Sequence, residues 1–180
     1  ALIVDDADLA HANLEGAIMA RRPEESGIDV RETLDAHGSW VDSGGKRGRR
    51  ADLAKLDLSG SRFGSANLAA ARLGCVVMRE ADLSGAMLAM ADLSLSDLRK
   101  SDFARADLRG ANLDRATFTG ARLAGAQFGP MPIHGSKTEV WSSSLIGARF
   151  DQADLSDADF SSARLRNASF RGADLTRARF

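Results

Sequence analysis

Tyrosine is absent from the 180-residue chain, which also holds only two tryptophans and one cysteine. A single thiol, Cys75, excludes an intramolecular disulfide and any zinc site built on cysteines. It fits a reducing compartment, so the expected location is cytoplasmic, in a bacterial cell. No apolar run reaches the roughly 18 residues that would suggest a membrane helix, and no secretory signal is visible. Excess charge of either sign is missing too: 24 basic residues face 25 acidic ones, a net charge of −1. That balance gives no general pull towards nucleic acid or an anionic membrane, and neither is expected as a partner.

The usual marks of chemistry are also missing. HExxH, CxxC, GxGxxG and phosphate-loop spacings do not occur. His11, His37 and His134 lie far apart, and Ser142, Ser143 and Ser144 have no base in a partnered pattern. The basic, glycine-rich GGKRGRR stretch at 44–50 lacks the spacing that cradles phosphate and reads as a solvated linker. No catalytic, cofactor-binding or metal-binding residue is assigned, and an enzyme is not expected.

What is present is a beat of five. In ADLRGANLDRATFTGARLAGAQF, large apolar residues fall at Leu108, Leu113, Phe118, Leu123 and Phe128, and alanines stand two places before each. A step of five advances about 140° net around an α-helix, so the leucines would share no face. On a flat strand, of period two, alternate members would flip sides. A coil that turns a corner every five residues keeps all of them inside. The register holds from Leu53 to Phe128 in sixteen repeats, continues to Ile133, resumes seven residues on at Val140, and then runs by fives from Leu145 to Phe180. A small residue beside each large one fits a cramped inner corner, and the remaining positions are rich in Asp, Asn, Arg, Ser and Gly, which face water.

ADLSG, ANLAA, ADLRG, ANLDR and GADLT resemble the pentapeptide-repeat family, whose consensus is A(D/N)LXX. The resemblance spans essentially all of 51–180 and also Val4 to Met19. It implies an all-β fold, a right-handed quadrilateral β-helix with four repeats per coil; the spacing itself establishes only the five. Phe150 with Phe170 and Phe160 with Phe180, twenty apart, agree with it. On this reading about six and a half coils make a rod roughly 30 Å long. The Asp or Asn before each inward residue is expected to bond nearby backbone at the corners.

Two interruptions divide the chain. Residues 1–19 form a short repeat block of about one coil. Residues 20–50 hold a polar loop, a short helix over about 29–42 with Asp29 or Ser26 as N-cap, and the basic linker. That helix, with Trp40, is placed to cover the open start of the solenoid. The main β-helix is 51–180, with a two-residue bulge at 133–140. The repeat running out at Phe180 suggests an uncapped end, and with it either a homodimer through that end or further residues beyond it.

Several apolar side chains fall at outward positions: Cys75, Val77, Met87, Met90 and Leu95. They read either as covered by the 29–42 helix or as a patch for another protein. With His134 and Trp141 from the bulge, they are the candidate protein-contact residues. The expected function is a non-catalytic protein-interaction or scaffold module whose protein partner is unidentified. The alternative comes from the resemblance: relatives that bind DNA gyrase by imitating duplex DNA. That needs a long acidic face, whereas the rod interleaves Asp with Arg62, Arg72, Arg99, Arg109, Arg122, Arg164 and Arg179.

Overall fold

The computed structural model describes residues 19–132 and 140–180. Within the repeats, Leu73, Leu83, Leu93, Phe103 and Phe118 are fully buried, as are alanines two places before most of them. The residue between the two points outward. Its backbone pairs in parallel with the residue twenty further on: Asp52 with Arg72, Asp57 with Val77, Arg62 with Asp82, Asn67 with Met87. One coil is therefore four repeats, and the fold is a right-handed quadrilateral β-helix. We number its faces by these outward residues, the first carrying Asp52, Arg72 and Asp92, the second Asp57, Val77 and Asp97, the third Arg62, Asp82 and Asp102, the fourth Asn67, Met87 and Asp107.

The corners explain the step of five. At nearly every corner the second residue after the inward one takes a left-handed backbone: φ is 63° at Lys55, 60° at Met90, 61° at Leu95 and 68° at Gly110. A hydrogen bond closes each turn, as from Ala71 N–H to the Leu68 carbonyl at 3.0 Å, with Ala70 at φ 60° in the third place, the arrangement of a type II turn. L-residues adopt this conformation at a cost of about 1–2 kcal/mol each, and the inter-coil ladder offsets it. Leu53 N–H donates to the Arg72 carbonyl and Arg72 N–H to the Ala51 carbonyl, both at 2.9 Å. The carboxylates before the inward residues act locally, as expected. Asp57 Oδ1 accepts from Ser59 N–H at 3.0 Å, and Asp102 Oδ1 from Ala104 N–H at 2.9 Å.

Leucine dominates the lower core and phenylalanine the upper. Phe118, Phe150 and Phe170 stack on the second face with centroids 5.0 and 5.2 Å apart. Phe128, Phe160 and Phe180 do so on the fourth, at 4.6 and 5.2 Å. Edge-on contacts join the two ladders through Phe150 and Phe160, an arrangement aromatic quadrupoles favour.

The start of the rod is covered by helix α1, Val30–Asp42, whose N-cap Asp29 accepts from Glu32 N–H at 3.0 Å. Ile28, Val30 and Leu34 pack against the core. His37 is fully buried, and its Nδ1 accepts from Ala51 N–H at 3.0 Å, joining the helix to the first coil. Burial pushes the imidazole below its ordinary value, with the nearby Ala69 carbonyl acting against that and Arg50 with it. The GGKRGRR stretch is not a free linker. It folds back on α1, with Arg49 N–H donating to the Ala36 carbonyl at 3.1 Å. Gly48, at φ 71°, lies so close that a methyl group there would sit 2.1 Å from the Ala36 oxygen.

The second interruption differs from the two-residue bulge expected at 133–140. Beyond it the backbone pairs are 32 residues apart instead of 20: Asn112 with Ser144, Thr117 with Arg149, Arg122 with Asp154. The repeat passes from Phe128 to Leu145, so the step holds twelve residues more than the usual five. Val140 is not an inward residue; it is 49% exposed. Sixteen inward residues from Leu53 to Phe128 and eight from Leu145 to Phe180 make six coils, not six and a half. Pro130 stands at the corner position that takes positive φ at nearly every other described corner, and its ring, which holds φ near −65°, does not fit that conformation. Met131–Pro132 (β1) and Val140–Trp141 (β2) pair antiparallel at the base of the excursion.

Candidate functional site

The hairpin of β1 and β2 lies on the corner between the fourth and first faces. Gly110 makes this possible, because a methyl group there would meet Trp141 Cδ1 at 3.0 Å, Met131 Cβ at 3.3 Å and Met90 Cγ at 3.4 Å. Met90 occupies the same corner one coil below Gly110. The result is an exposed apolar cluster in which Met90 is 46%, Val140 49% and Trp141 54% exposed, with half-buried Met131 between them. Met87, on the fourth face just before this corner, is 44% exposed. On the other side Trp141 borders a groove with Asn112, Asp114, Ser144 and Arg164.

The coil is resealed beneath the hairpin by side chains. In an undisturbed corner the backbone N–H bonds the coil above, as Met90 N–H bonds the Arg109 carbonyl at 2.9 Å. At Gly110 that donor goes instead to Ser143 Oγ at 3.0 Å, and the same hydroxyl donates to the Phe128 carbonyl at 2.6 Å. The repeat that follows has Ser144 where an Asp or Asn is usual. Asp114, from the coil below, supplies the missing acceptor: Oδ1 takes Ser144 Oγ–H at 2.6 Å and Ile146 N–H at 2.9 Å.

The candidate contact residues therefore divide. Met87, Met90 and Trp141 are brought to one side of the rod. Leu95 lies directly above Cys75, twenty residues on, at the corner between the first and second faces. Cys75 and Val77 are buried, at 8% and 4% exposure. His134 lies outside the described residues. Met131 and Gly110 are members of the cluster that periodicity missed, and Pro130 at a left-handed corner is the signal that points to them.

Acidic and basic residues are interleaved along the faces. Arg72 pairs with Asp52 at 3.5 Å, Arg122 with Asp102 at 3.0 Å, Arg177 with Asp157 at 2.6 Å and Arg179 with Asp159 at 3.1 Å, each between successive coils. On the second face Asp97 receives Arg79 Nε at 2.6 Å and Arg99 Nη2 at 2.7 Å. Burial alone would raise the Asp97 carboxyl, but the two guanidiniums outweigh it and hold it below the ordinary range. Among the described residues no cluster of three or more His, Cys, Asp or Glu could hold a metal ion.

Known proteins with this architecture agree. The family described as Pentapeptide repeats matches residues 61–99, 96–129 and 143–180, in eight copies. No curated protein matches the sequence. Among solved structures, the pentapeptide repeat protein Rfr23 from the cyanobacterium Cyanothece 51142 superposes with a TM-score of 0.52 at 16% identity, over 72% of this chain and 90% of that one. HetL, involved in heterocyst differentiation regulation in Nostoc sp. strain PCC 7120, is 27% identical over 73% of this chain and 77% of its own, with a TM-score of 0.33. QnrB1, a plasmid-mediated fluoroquinolone resistance protein, is 18% identical over 72% of this chain and 84% of its own, with a TM-score of 0.36. Three matched segments, a twenty-residue coil and inward leucine and phenylalanine ladders lead to one conclusion: the chain belongs to the pentapeptide-repeat family.

Proposed function

We propose that the protein is a non-catalytic interaction module that offers the Met90–Met131–Val140–Trp141 corner to another protein. The observation that carries this is the cluster itself. A solenoid has no use for exposed Met and Trp at a corner, and the twelve-residue excursion places them together. Methionine and tryptophan are the side chains that protein interfaces favour. The charge pattern favours this reading over imitation of duplex DNA, because inter-coil Arg–Asp pairs break up the first, third and fourth faces. The test is affinity capture from the native host with the wild-type chain and with Met90→Asp/Trp141→Asp. Both positions are exposed, so the variant should keep its circular dichroism spectrum while losing the captured partner. Equal capture by the two would remove the corner from the interface. In a supercoiling assay the protein should leave DNA gyrase unaffected at micromolar concentration; inhibition or quinolone protection would restore the mimic reading.

A further inference from the structure

The basic GGKRGRR stretch reaches the foot of the apolar corner. Arg50 stands twenty residues before Ala70, and its Nε donates to the Ala70 carbonyl. Ala70 in turn stands twenty before Met90, and Met90 twenty before Gly110, so these residues share the corner between the fourth and first faces. Successive coils lie about 4.8 Å apart, which puts the Arg50 guanidinium one step below Met90. The cations before Arg50 are held on α1 by their backbone. Arg49 N–H bonds the Ala36 carbonyl, Arg47 N–H bonds Ser43 Oγ at 2.8 Å, and Gly45 N–H bonds the Trp40 carbonyl at 2.8 Å. Lys46, Arg47, Arg49 and Arg50 are all exposed, and among the described residues none of the four forms an ion pair. The carboxylates that border the corner are already engaged. Asp52 pairs with Arg72 at 3.5 Å and Asp107 with Arg109 at 2.7 Å, while Asp92 Oδ1 accepts from Ser94 N–H and from Asn112 Nδ2, both at 3.1 Å.

We propose that the partner binds through a segment in which large apolar residues adjoin a run of Asp or Glu. The apolar part packs on Met90, Met131, Val140 and Trp141, and the acidic part lies on Lys46, Arg47, Arg49 and Arg50. This rests on the reading of the corner as a protein interface and adds the chemistry of what fills it. Two observations select the occupant. The first is continuity: from the Arg50 guanidinium at Ala70 to Trp141 at Gly110 is two coil steps, about 10 Å, which three or four extended residues span. The second is charge: four unpaired cations at one end of an apolar patch attract an acidic segment and fix its direction along the corner. A nucleic acid backbone would satisfy the cations but leave the exposed Met90 and Trp141 against water.

Three full-length chains test this: the wild type, a loop variant, Lys46→Glu/Arg47→Glu/Arg49→Glu, and the corner variant, Met90→Asp/Trp141→Asp. The substituted loop side chains are exposed and Arg50 is kept, so the circular dichroism spectrum should not change. The probe is a phage-displayed library of random peptides of about 16 residues, selected on the wild type. Enriched peptides are then synthesised and titrated by fluorescence anisotropy. They are expected to set apolar residues beside several Asp or Glu, to bind the loop variant at least tenfold more weakly, and to lose affinity at molar salt. The milder Lys46→Gln/Arg47→Gln/Arg49→Gln should fall between the two. Enriched peptides without acidic residues, or peptides that bind the loop variant as tightly as the wild type while the corner variant loses them, would overturn this proposal and leave the corner standing. Equal binding by the corner variant would overturn the corner reading as well, as would a library that yields no enriched peptide. Binding of a duplex oligonucleotide or of phosphatidylglycerol vesicles that depends on the loop, with no such dependence for peptides, would assign the cations to phosphate groups and overturn the proposal.

Discussion

Ser143→Ala removes one hydroxyl and should open the rod where the hairpin leaves it. Ser143 Oγ is the acceptor for the buried Gly110 N–H at 3.0 Å and the donor to the Phe128 carbonyl at 2.6 Å. Stranding a buried N–H costs about 1–3 kcal/mol and losing a net hydrogen bond about 1 kcal/mol, so the expected loss is about 2–4 kcal/mol. For a chain of this size that lowers Tm by about 4–15 °C. Because solenoids can open coil by coil, the second readout is amide exchange at Gly110, which should accelerate more than the global stability falls. Ser101→Ala is the matched control. Ser101 is also fully buried at the inward small-residue position, but its hydroxyl only donates to the Leu98 carbonyl, which the Ser101 N–H already contacts. That substitution strands no donor and installs the alanine usual there, so its Tm should move by no more than about 2 °C. Equal effects of the two substitutions, or a neutral Ser143→Ala, would refute the resealing role.

Asp114→Ala should cost about 1–2 kcal/mol by freeing the Ile146 N–H; adding Ser144→Asp supplies the usual acceptor and should restore the midpoint, and failure to restore it would contradict the account of that repeat. His37 is held below its ordinary value of 6.5, so the folded state disfavours its proton. Its contribution is complete above pH 6.5 and is lost as pH falls through the lowered value. The thermal midpoint should therefore drop between pH 7 and pH 5, by an amount reduced in His37→Gln, and an identical pH profile in the variant would count against the His37–Ala51 clasp. Gly110→Ala should loosen the hairpin by its contact with Trp141 Cδ1, read as a red shift and faster quenching of Trp141 fluorescence in a Trp40→Phe background.

The repeat was legible because its signal is local and repeated: inward leucines, small partners and Asx bonds can each be read from five residues. Helix α1 followed from spacing for the same reason, and of its two candidate caps, Asp29 and Ser26, the structure uses Asp29. The excursion was harder to see. Val140 is apolar and falls near the beat, so hydrophobic pattern alone counts it as core; Ile133 lies outside the described residues. Val140 is half exposed instead, and Pro130, whose ring disfavours the positive φ of the left-handed corners, is the local signal that the beat breaks before it. Those corners are themselves hidden in sequence, because Lys55, Met90 and Leu95 occupy them as well as glycine does. Burial of Cys75 and Val77 lay beyond reach for another reason: register states which way a side chain points, not what else packs there.

The claim beneath all of this is that one coil of twenty residues is interrupted by an insertion of twelve at a corner that proline cannot turn. The most direct measurement is circular dichroism and thermal unfolding of a chain lacking residues 131–142 and carrying Pro130→Gly. The account predicts an uninterrupted five-residue beat from Phe128 to Leu145, an unchanged β-sheet spectrum and a midpoint no lower than that of the parent chain. Loss of the β-sheet signal, or a collapse of the midpoint, would contradict it.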